Sequence, residues 1–143
     1  MRTVGILGLT LTLFAASACT NGTPSAPSTA GGDVLSAMSG TWRSTATAVA
    51  GICTVTNYTV TPTGANTATI SYSATCAGVP VSGTGSGTMN GTTFNWTTSG
   101  FATSSCSLSL NGTAVPSGTS DLTVAYGGVV CGVPVSGSEI LHR

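Results

Sequence analysis

Two similar stretches decide the fold of this chain: residues 76–83 read CAGVPVSG, and residues 131–137 read CGVPVSG. Each stretch begins with a cysteine and is preceded by a second cysteine and, before that, by a tryptophan. The same order of residues therefore occurs twice, at a spacing of about 54 positions, which is typical of a tandem duplication. The residues concerned are Trp42, Cys53 and Cys76 in the first copy and Trp96, Cys106 and Cys131 in the second.

The segment between the two cysteines of each copy predicts a β-hairpin. Apolar and polar residues alternate along it, and the alternation breaks once, at turn-forming residues 61–66 and 116–119. Turns centred between positions 64 and 65 and between positions 118 and 119 set the register of both hairpins. The opposed pairs are then Cys53 with Cys76, Thr59 with Ile70, Cys106 with Cys131, and Gly112 with Ala125.

This register also predicts the disulfides. Directly opposed residues of antiparallel strands have Cα atoms about 4.5 to 5.5 Å apart, a separation that a disulfide can bridge. Four cysteines allow three pairings, and the symmetry of the duplication selects Cys53 with Cys76 and Cys106 with Cys131. We therefore expect one disulfide within each copy.

A third turn joins the two copies at Asn90-Gly91, the preferred pair for a two-residue hairpin loop. With Met89 and Thr92 flanking that loop, Gly87 faces Phe94 and Gly85 faces the next aromatic residue, Trp96. Glycine in a strand has no side chain to pack, and an aromatic ring lying over it restores the cover. The alternate glycines therefore predict a strand rather than a flexible loop.

Together these elements predict an all-β domain of about eight antiparallel strands. Repeat one covers about residues 40–90 and repeat two about residues 91–143, with four strands in each. The last strand, residues 133–142, is expected to pair with the first, residues 40–50, which closes an up-and-down barrel without free edges. A two-sheet β-sandwich is the alternative.

The start of the first predicted strand, Gly40-Thr41-Trp42-Arg43, resembles the Gly-x-Trp opening of the lipocalins, fatty-acid-binding proteins and avidins (the calycins). A barrel of eight strands is just wide enough to be filled by side chains or to admit one small ligand. In those families the tryptophan of the first strand packs under an arginine near the last strand. Trp42 matches that tryptophan, and Arg143 is the candidate arginine.

The N-terminus has the features of an export signal. Met1-Arg2 is followed by the apolar run 4–16 and by small residues directly before Cys19. This arrangement resembles the lipobox of bacterial lipoproteins and implies a signal peptide at residues 1–18 and lipidation of Cys19. An ordinary cleaved leader with a free Cys19 is the alternative.

The sequence after Cys19 predicts a domain held away from a membrane. Residues 19–33 are rich in Ser, Pro and Gly and form a tether, and residues 34–143 form the all-β domain. With the lipobox resemblance, this organisation predicts an exported protein of the cell envelope, anchored through lipid to the outer membrane or the cell membrane.

The composition of the chain argues against nucleic-acid binding, catalysis and metal binding. Charged residues make up 4% of the 143 residues, and there is no lysine, which excludes a nucleic-acid binder. We expect no enzyme, cofactor or metal, because the chain has no nucleophile motif or Cys-x-x-Cys pair and contains a single histidine, His142.

Glu139 is the ionisable residue that stands out. When the two copies are aligned with each other, Glu139 takes the place of Gly85. We therefore expect it opposite Trp42, inside the barrel. A carboxylate there requires a partner, and Arg143 or Arg43 is the candidate. We therefore name Trp42, Glu139 and Arg143 as candidate ligand-binding residues, although the favoured interpretation of Glu139 is a solvent-facing position near the end of its strand.

Two functional hypotheses follow. The favoured one is a non-enzymatic lipoprotein that is structural or binds a small apolar ligand inside its barrel. The other is an adhesion or assembly module that binds an envelope protein or a glycan through an uncharged β surface. An interior cavity of about 300 Å³ or more favours the first hypothesis, and an interior filled by side chains together with an exposed aromatic patch favours the second.

Overall fold

The computed structural model describes residues 30–44, 53–76, 78–103 and 106–143. The predicted signal peptide, Cys19 and the tether up to residue 29 lie outside the described residues. One helix precedes eight strands: α1 (Ala30–Met38), β1 (Gly40–Ser44), β2 (Cys53–Pro62), β3 (Thr67–Cys76), β4 (Val79–Asn90), β5 (Thr93–Thr103), β6 (Cys106–Pro116), β7 (Asp121–Val130) and β8 (Val133–His142).

The strands form a closed barrel in sequence order, so the prediction of an eight-stranded up-and-down barrel is confirmed and the sandwich alternative is wrong. β1 closes the ring by pairing antiparallel with β8, and Ser44 lies opposite Leu141. Closure leaves each strand with two neighbours. Successive side chains of each strand point to opposite faces, so the alternating sequence pattern gives the barrel a buried inner face and an outer face rich in Ser and Thr.

Both disulfides form as predicted. Cys53 is bonded to Cys76 and Cys106 to Cys131, with Cα atoms 3.8 and 4.4 Å apart. The two bridges differ in exposure, because Cys53 is 1% exposed whereas Cys131 lies in an exposed turn.

The predicted register of the first hairpin is correct only at its disulfide end. Cys53 lies opposite Cys76, but an irregularity between Thr54 and Asn57 displaces the rest of the strand by one residue. Val60, rather than Thr59, therefore lies opposite Ile70. The displacement puts the apolar Val60 on the inner face and leaves Thr59 outside.

The predicted register of the second hairpin is wrong by one residue. Gly112 lies opposite Tyr126 rather than Ala125, so two inward-facing residues pair. Cys131 has left β7 at this point and adopts a left-handed backbone with φ of 52°. A cysteine in a turn therefore does not define the register of the strand beside it.

The turn after β4 also differs from the prediction. Asn90 pairs with Thr93, and the two-residue loop is Gly91-Thr92, with Gly91 at φ of 61°. This displaces the register by two residues, so Gly87 lies opposite Trp96 and Gly85 opposite Thr98. A two-residue displacement keeps every side chain on its predicted face.

Helix α1 was not predicted, and it begins at Ala30, inside the predicted tether. Its residues Leu35 and Met38 are each 1% exposed and belong to the barrel core. Asn66 and Met89, at the turn end of the neighbouring strands, approach Gly31. The helix therefore closes the end of the barrel at which β1 begins. No helix in the described ranges has the length and apolar character needed to cross a membrane.

Candidate functional site

The barrel interior is nearly filled. One cavity of about 30 Å³ lies beneath α1, roughly a tenth of the volume of a small ligand site. Its walls are apolar or aromatic: Met38, Trp42, Tyr58, Val60, Ile70, Phe94, Trp96, Ala114, Leu122, Val124 and Leu141. In this conformation the interior has no room for a ligand of the size that lipocalin-like barrels hold.

Trp42 and Arg143 pack as the resemblance to lipocalins predicts, with the guanidinium carbon 4.3 Å from the centre of the indole ring. The same guanidinium donates hydrogen bonds of 2.7 Å to the carbonyl oxygens of Ala37 and Ser39. Trp42 Nε1 donates a 2.7 Å bond to the Met38 carbonyl. Both side chains thereby bind the C-terminal turn of α1, whose last carbonyls lack helical partners. Trp42 also lines the cavity.

Glu139 is buried inside the barrel, with 7% of its surface exposed. It lies opposite Val124, and the pairing of Ser44 with Leu141 places it beyond the described end of β1. The predictions that it lies opposite Trp42 or faces solvent are therefore wrong. Its predicted arginine partner is also wrong, because Arg143 is bound to α1 and Arg43 lies on the outer face.

The partner of the Glu139 carboxylate is a phenol. The Tyr58 hydroxyl donates a 2.9 Å hydrogen bond to Glu139 Oε1, whereas Glu139 Oε2 is buried without a hydrogen-bond partner among the described residues. Burial, and then the negative charge of Glu139, raise the pKa of Tyr58 far above its usual range. Tyr58 therefore stays protonated and acts as a donor at physiological pH.

A second phenol lies beside the first. The rings of Tyr58 and Tyr72 lie opposite each other on β2 and β3, with centroids 6.3 Å apart. The Tyr72 hydroxyl is buried over the backbone of Gly83 and Gly100, and no described residue is its hydrogen-bond partner. Neither tyrosine was predicted as a site residue, although the alternation of both with polar residues placed them on the inner face.

The outer surface of β2–β6 has a different chemistry. Its outward side chains are almost all Ser, Thr or Asn, and no charged residue occurs between Arg43 and Asp121. We call this surface the hydroxyl face. One row of opposed hydroxyl side chains crosses six strands without interruption: Thr41, Thr59, Ser71, Thr84, Ser99 and Ser109.

One aromatic ring projects from the hydroxyl face. Phe101 is 68% exposed and lies between Ser82 of β4 and Ser107 of β6. Ser82 also borders a shallow open groove of about 340 Å³. Its other lining residues are Asn57, Ser73, Ala74, Thr75, Pro80 and Val81.

Of the charged residues in the described strands, Arg43 borders this face, because it lies on the outer side of β1 opposite Asn57, and the others lie away from it. Asp121 and His142, on neighbouring strands β7 and β8, form a contact of 2.7 Å at the surface. Within the described residues, no three His, Cys, Asp or Glu side chains come together in a way that suits a metal ion.

Comparison with known proteins identifies the fold but not a family. No family model matches the chain, and no curated protein matches it. A redesigned beta barrel is similar at 17% identity and a TM-score of 0.56, over 77% of this chain and 94% of that one. The EF1p2_mFAP2b protein bound to DFHBI is similar at 16% identity and a TM-score of 0.57, over 80% of this chain and 98% of that one.

Proposed function

We propose that this protein is an exported, lipid-anchored and non-enzymatic component of a bacterial cell envelope that binds an uncharged glycan through its hydroxyl face. The observation that carries the proposal is the exposed Phe101 ring on a surface of hydroxyl and amide side chains without charge. Because the interior is nearly filled, a binding surface on the outside of the barrel is favoured over an interior site for a ligand of several hundred Å³.

The chemistry of the hydroxyl face suits a neutral sugar. Ser and Thr hydroxyls donate and accept hydrogen bonds, as sugar hydroxyls do, and Asn side chains offer both a donor and an acceptor. The C–H groups on the face of a sugar ring stack on an aromatic ring such as that of Phe101. Charged groups would favour an ionic partner instead, and the five strands of this face carry none.

The direction of the chain supports the same arrangement. Helix α1 is the first described element, so the predicted tether joins the barrel at the α1 end. Phe101 lies near the end of β5, which begins at the α1 end and runs to the opposite, disulfide end. With Cys19 lipidated, the Phe101 end of the hydroxyl face points away from the membrane.

Co-sedimentation with insoluble neutral polysaccharides tests the binding proposal. We expect the purified mature protein to sediment with at least one uncharged polysaccharide, and Phe101→Ala to lose most of that binding. Ile140→Ala is the matched control, because Ile140 is an exposed apolar residue on β8, outside the hydroxyl face. Equal binding by the two variants, or no sedimentation of the wild type, would overturn the proposal.

Anchoring is tested separately in cells. We expect Cys19→Ser to move the protein from the membrane fraction to the soluble exported fraction, and mass spectrometry of the wild type to find a diacylglyceryl group on Cys19. An unmodified Cys19 in the mature protein would remove the membrane assignment without affecting the binding proposal.

A further inference from the structure

The interior of the barrel contains buried polar atoms that the proposed surface function does not use. Within the part of the chain that the structure describes, three buried atoms have no hydrogen-bond partner: Glu139 Oε2, the Tyr72 hydroxyl oxygen and Thr56 Oγ1. A buried polar group without a partner costs about 1 to 3 kcal/mol, and an ionised one costs more. A barrel that served only as a support would be more stable without these groups.

The charge balance of the interior indicates what is missing. Glu139 is the only charged side chain on the inner face of the described strands, and its single described hydrogen bond comes from the neutral Tyr58. The described strands and the residue after them contain two arginines. Arg43 lies on the outer face, and Arg143 is directed to α1. The carboxylate therefore lacks a cation among the described residues.

The cavity beneath α1 has walls that suit a cation with apolar substituents. Four of its lining residues are aromatic: Trp42, Tyr58, Phe94 and Trp96. The face of an aromatic ring attracts a cation, most strongly where water is excluded. Tyr58 belongs to both features, because its ring lines the cavity and its hydroxyl binds Glu139. Tyr58 thus connects the Glu139 carboxylate to the aromatic wall of the cavity.

We propose that the barrel interior is a second binding site, specific for a small organic ammonium ion. The alkyl part of the ion occupies the aromatic cavity, and its ammonium group pairs with Glu139 Oε2. The cavity of about 30 Å³ has room for about two water-sized groups, so binding of an alkylammonium ion requires the side chains of α1 to move. Leu35 and Met38 close this end of the barrel, so exchange of the ligand requires α1 to open.

The test uses the purified mature protein and butylammonium chloride as the probe. We expect butylammonium to raise the Tm by several degrees at saturation, because a ligand that binds the folded state alone stabilises it. Sodium chloride at equal ionic strength and 1-butanol at equal concentration are expected to have no comparable effect. An equal response to 1-butanol would mean an apolar cavity without charge recognition and would overturn the proposal.

Three variants locate the site. Glu139→Gln is expected to abolish the response to butylammonium. Asp121→Asn, which neutralises a surface carboxylate instead, is expected to retain the full response. Phe101→Ala is also expected to retain it, so this proposal and the glycan proposal can fail independently.

A measurement on the wild type guards against misfolding of the variants. In saturation-transfer NMR, the butylammonium methyl protons are expected to receive magnetisation from the aromatic side chains and to shift upfield on binding. The absence of both effects at millimolar concentration, or a Tm response that Glu139→Gln leaves unchanged, would refute the interior site.

Discussion

The Tyr58 hydroxyl and the Glu139 carboxylate form a 2.9 Å hydrogen bond between β2 and β8, the two strands that flank β1. The positions 54 residues away from these two are glycines, Gly112 and Gly85. Around those glycines the space is occupied by Trp96 and Thr98. If the barrel arose by duplication, this polar pair is a departure from its symmetry, which makes the interior site single rather than double.

The pH dependence of stability tests the environment of Tyr58. Because the pKa of its phenol is raised above the usual value of about 10 in the folded state, the unfolded chain loses this proton first as the pH rises. The contribution of Tyr58 to the free energy of unfolding is therefore present below about pH 10 and is lost as the pH rises above that value. We expect the free energy of unfolding to fall between about pH 10 and 11.5, as measured by urea denaturation. Tyr58→Phe should show a smaller fall over that range, and an identical fall would contradict the assigned environment.

The two disulfides are expected to differ in accessibility. Graded reduction followed by alkylation and peptide mapping should open Cys106–Cys131 before Cys53–Cys76, because Cys131 is exposed and Cys53 is buried. Each bridge closes a loop of similar length, so loss of either one should lower the free energy of unfolding by about 3 kcal/mol. Opening in the reverse order would contradict the exposure argument.

Arg143 is expected to hold α1 on the barrel. Arg143→Ala removes the hydrogen bonds to the carbonyls of Ala37 in α1 and of Ser39 just after it, together with the stack on Trp42, so amide hydrogens of residues 34–38 should exchange faster. Arg143→Lys keeps the charge but lacks the planar group that bonds both carbonyls, and it should recover only part of the protection. Unchanged exchange in Arg143→Ala would show that the apolar contacts of Leu35 and Met38 suffice.

Removal of α1 side chains from the core should be costly. Met38→Ala deletes a side chain that is 1% exposed and is expected to lower the free energy of unfolding by about 2 to 4 kcal/mol. The control is Ala37→Ser, since Ala37 is the exposed neighbour in the same helical turn. Similar losses for both variants in urea denaturation would contradict the placement of α1 in the barrel end.

Glycines on the inner face should not tolerate a side chain. A Cβ at Gly87 would contact the Phe94 ring and lie 2.6 Å from the backbone oxygen of Asn95, so Gly87→Val should lower the free energy of unfolding by about 3 kcal/mol or more. Ser86→Val, on the outer face of the same strand, should change stability by less than about 1 kcal/mol. Thermal or urea unfolding distinguishes these outcomes, and an equal effect at both positions would contradict the assignment of faces.

The sequence was sufficient to predict the closed barrel and both disulfides. The alternation of apolar and polar residues defined the strands, and the repeated Gly-Val-Pro-Val-Ser-Gly stretch indicated that the last strand meets the first. Register was less predictable, because an irregular pairing such as that between Thr54 and Asn57 depends on which side chains fill the core. Cys131 misled the alignment of β7 because it lies in a turn.

The interior site was only partly predictable. Glu139 was identified from its inward position, but Tyr58 is 81 residues away in sequence and contacts it only through barrel closure. Helix α1 was missed because Gly31 and Gly32 resemble a linker, and its helical state depends on burial of Leu35 and Met38. Contacts that tertiary packing creates are not encoded in local patterns.

Titration of the isotope-labelled mature protein with a soluble, uncharged oligosaccharide, followed by NMR, tests the central claim of surface recognition most directly. We predict saturable shifts of the backbone amides around Phe101, including those of Ser82 and Ser107, while the buried Trp42 indole N–H stays unchanged. Shifts confined to that indole and the cavity walls would contradict the claim. It would also be contradicted if the protein sediments with a neutral polysaccharide but the matching oligosaccharide causes no shifts.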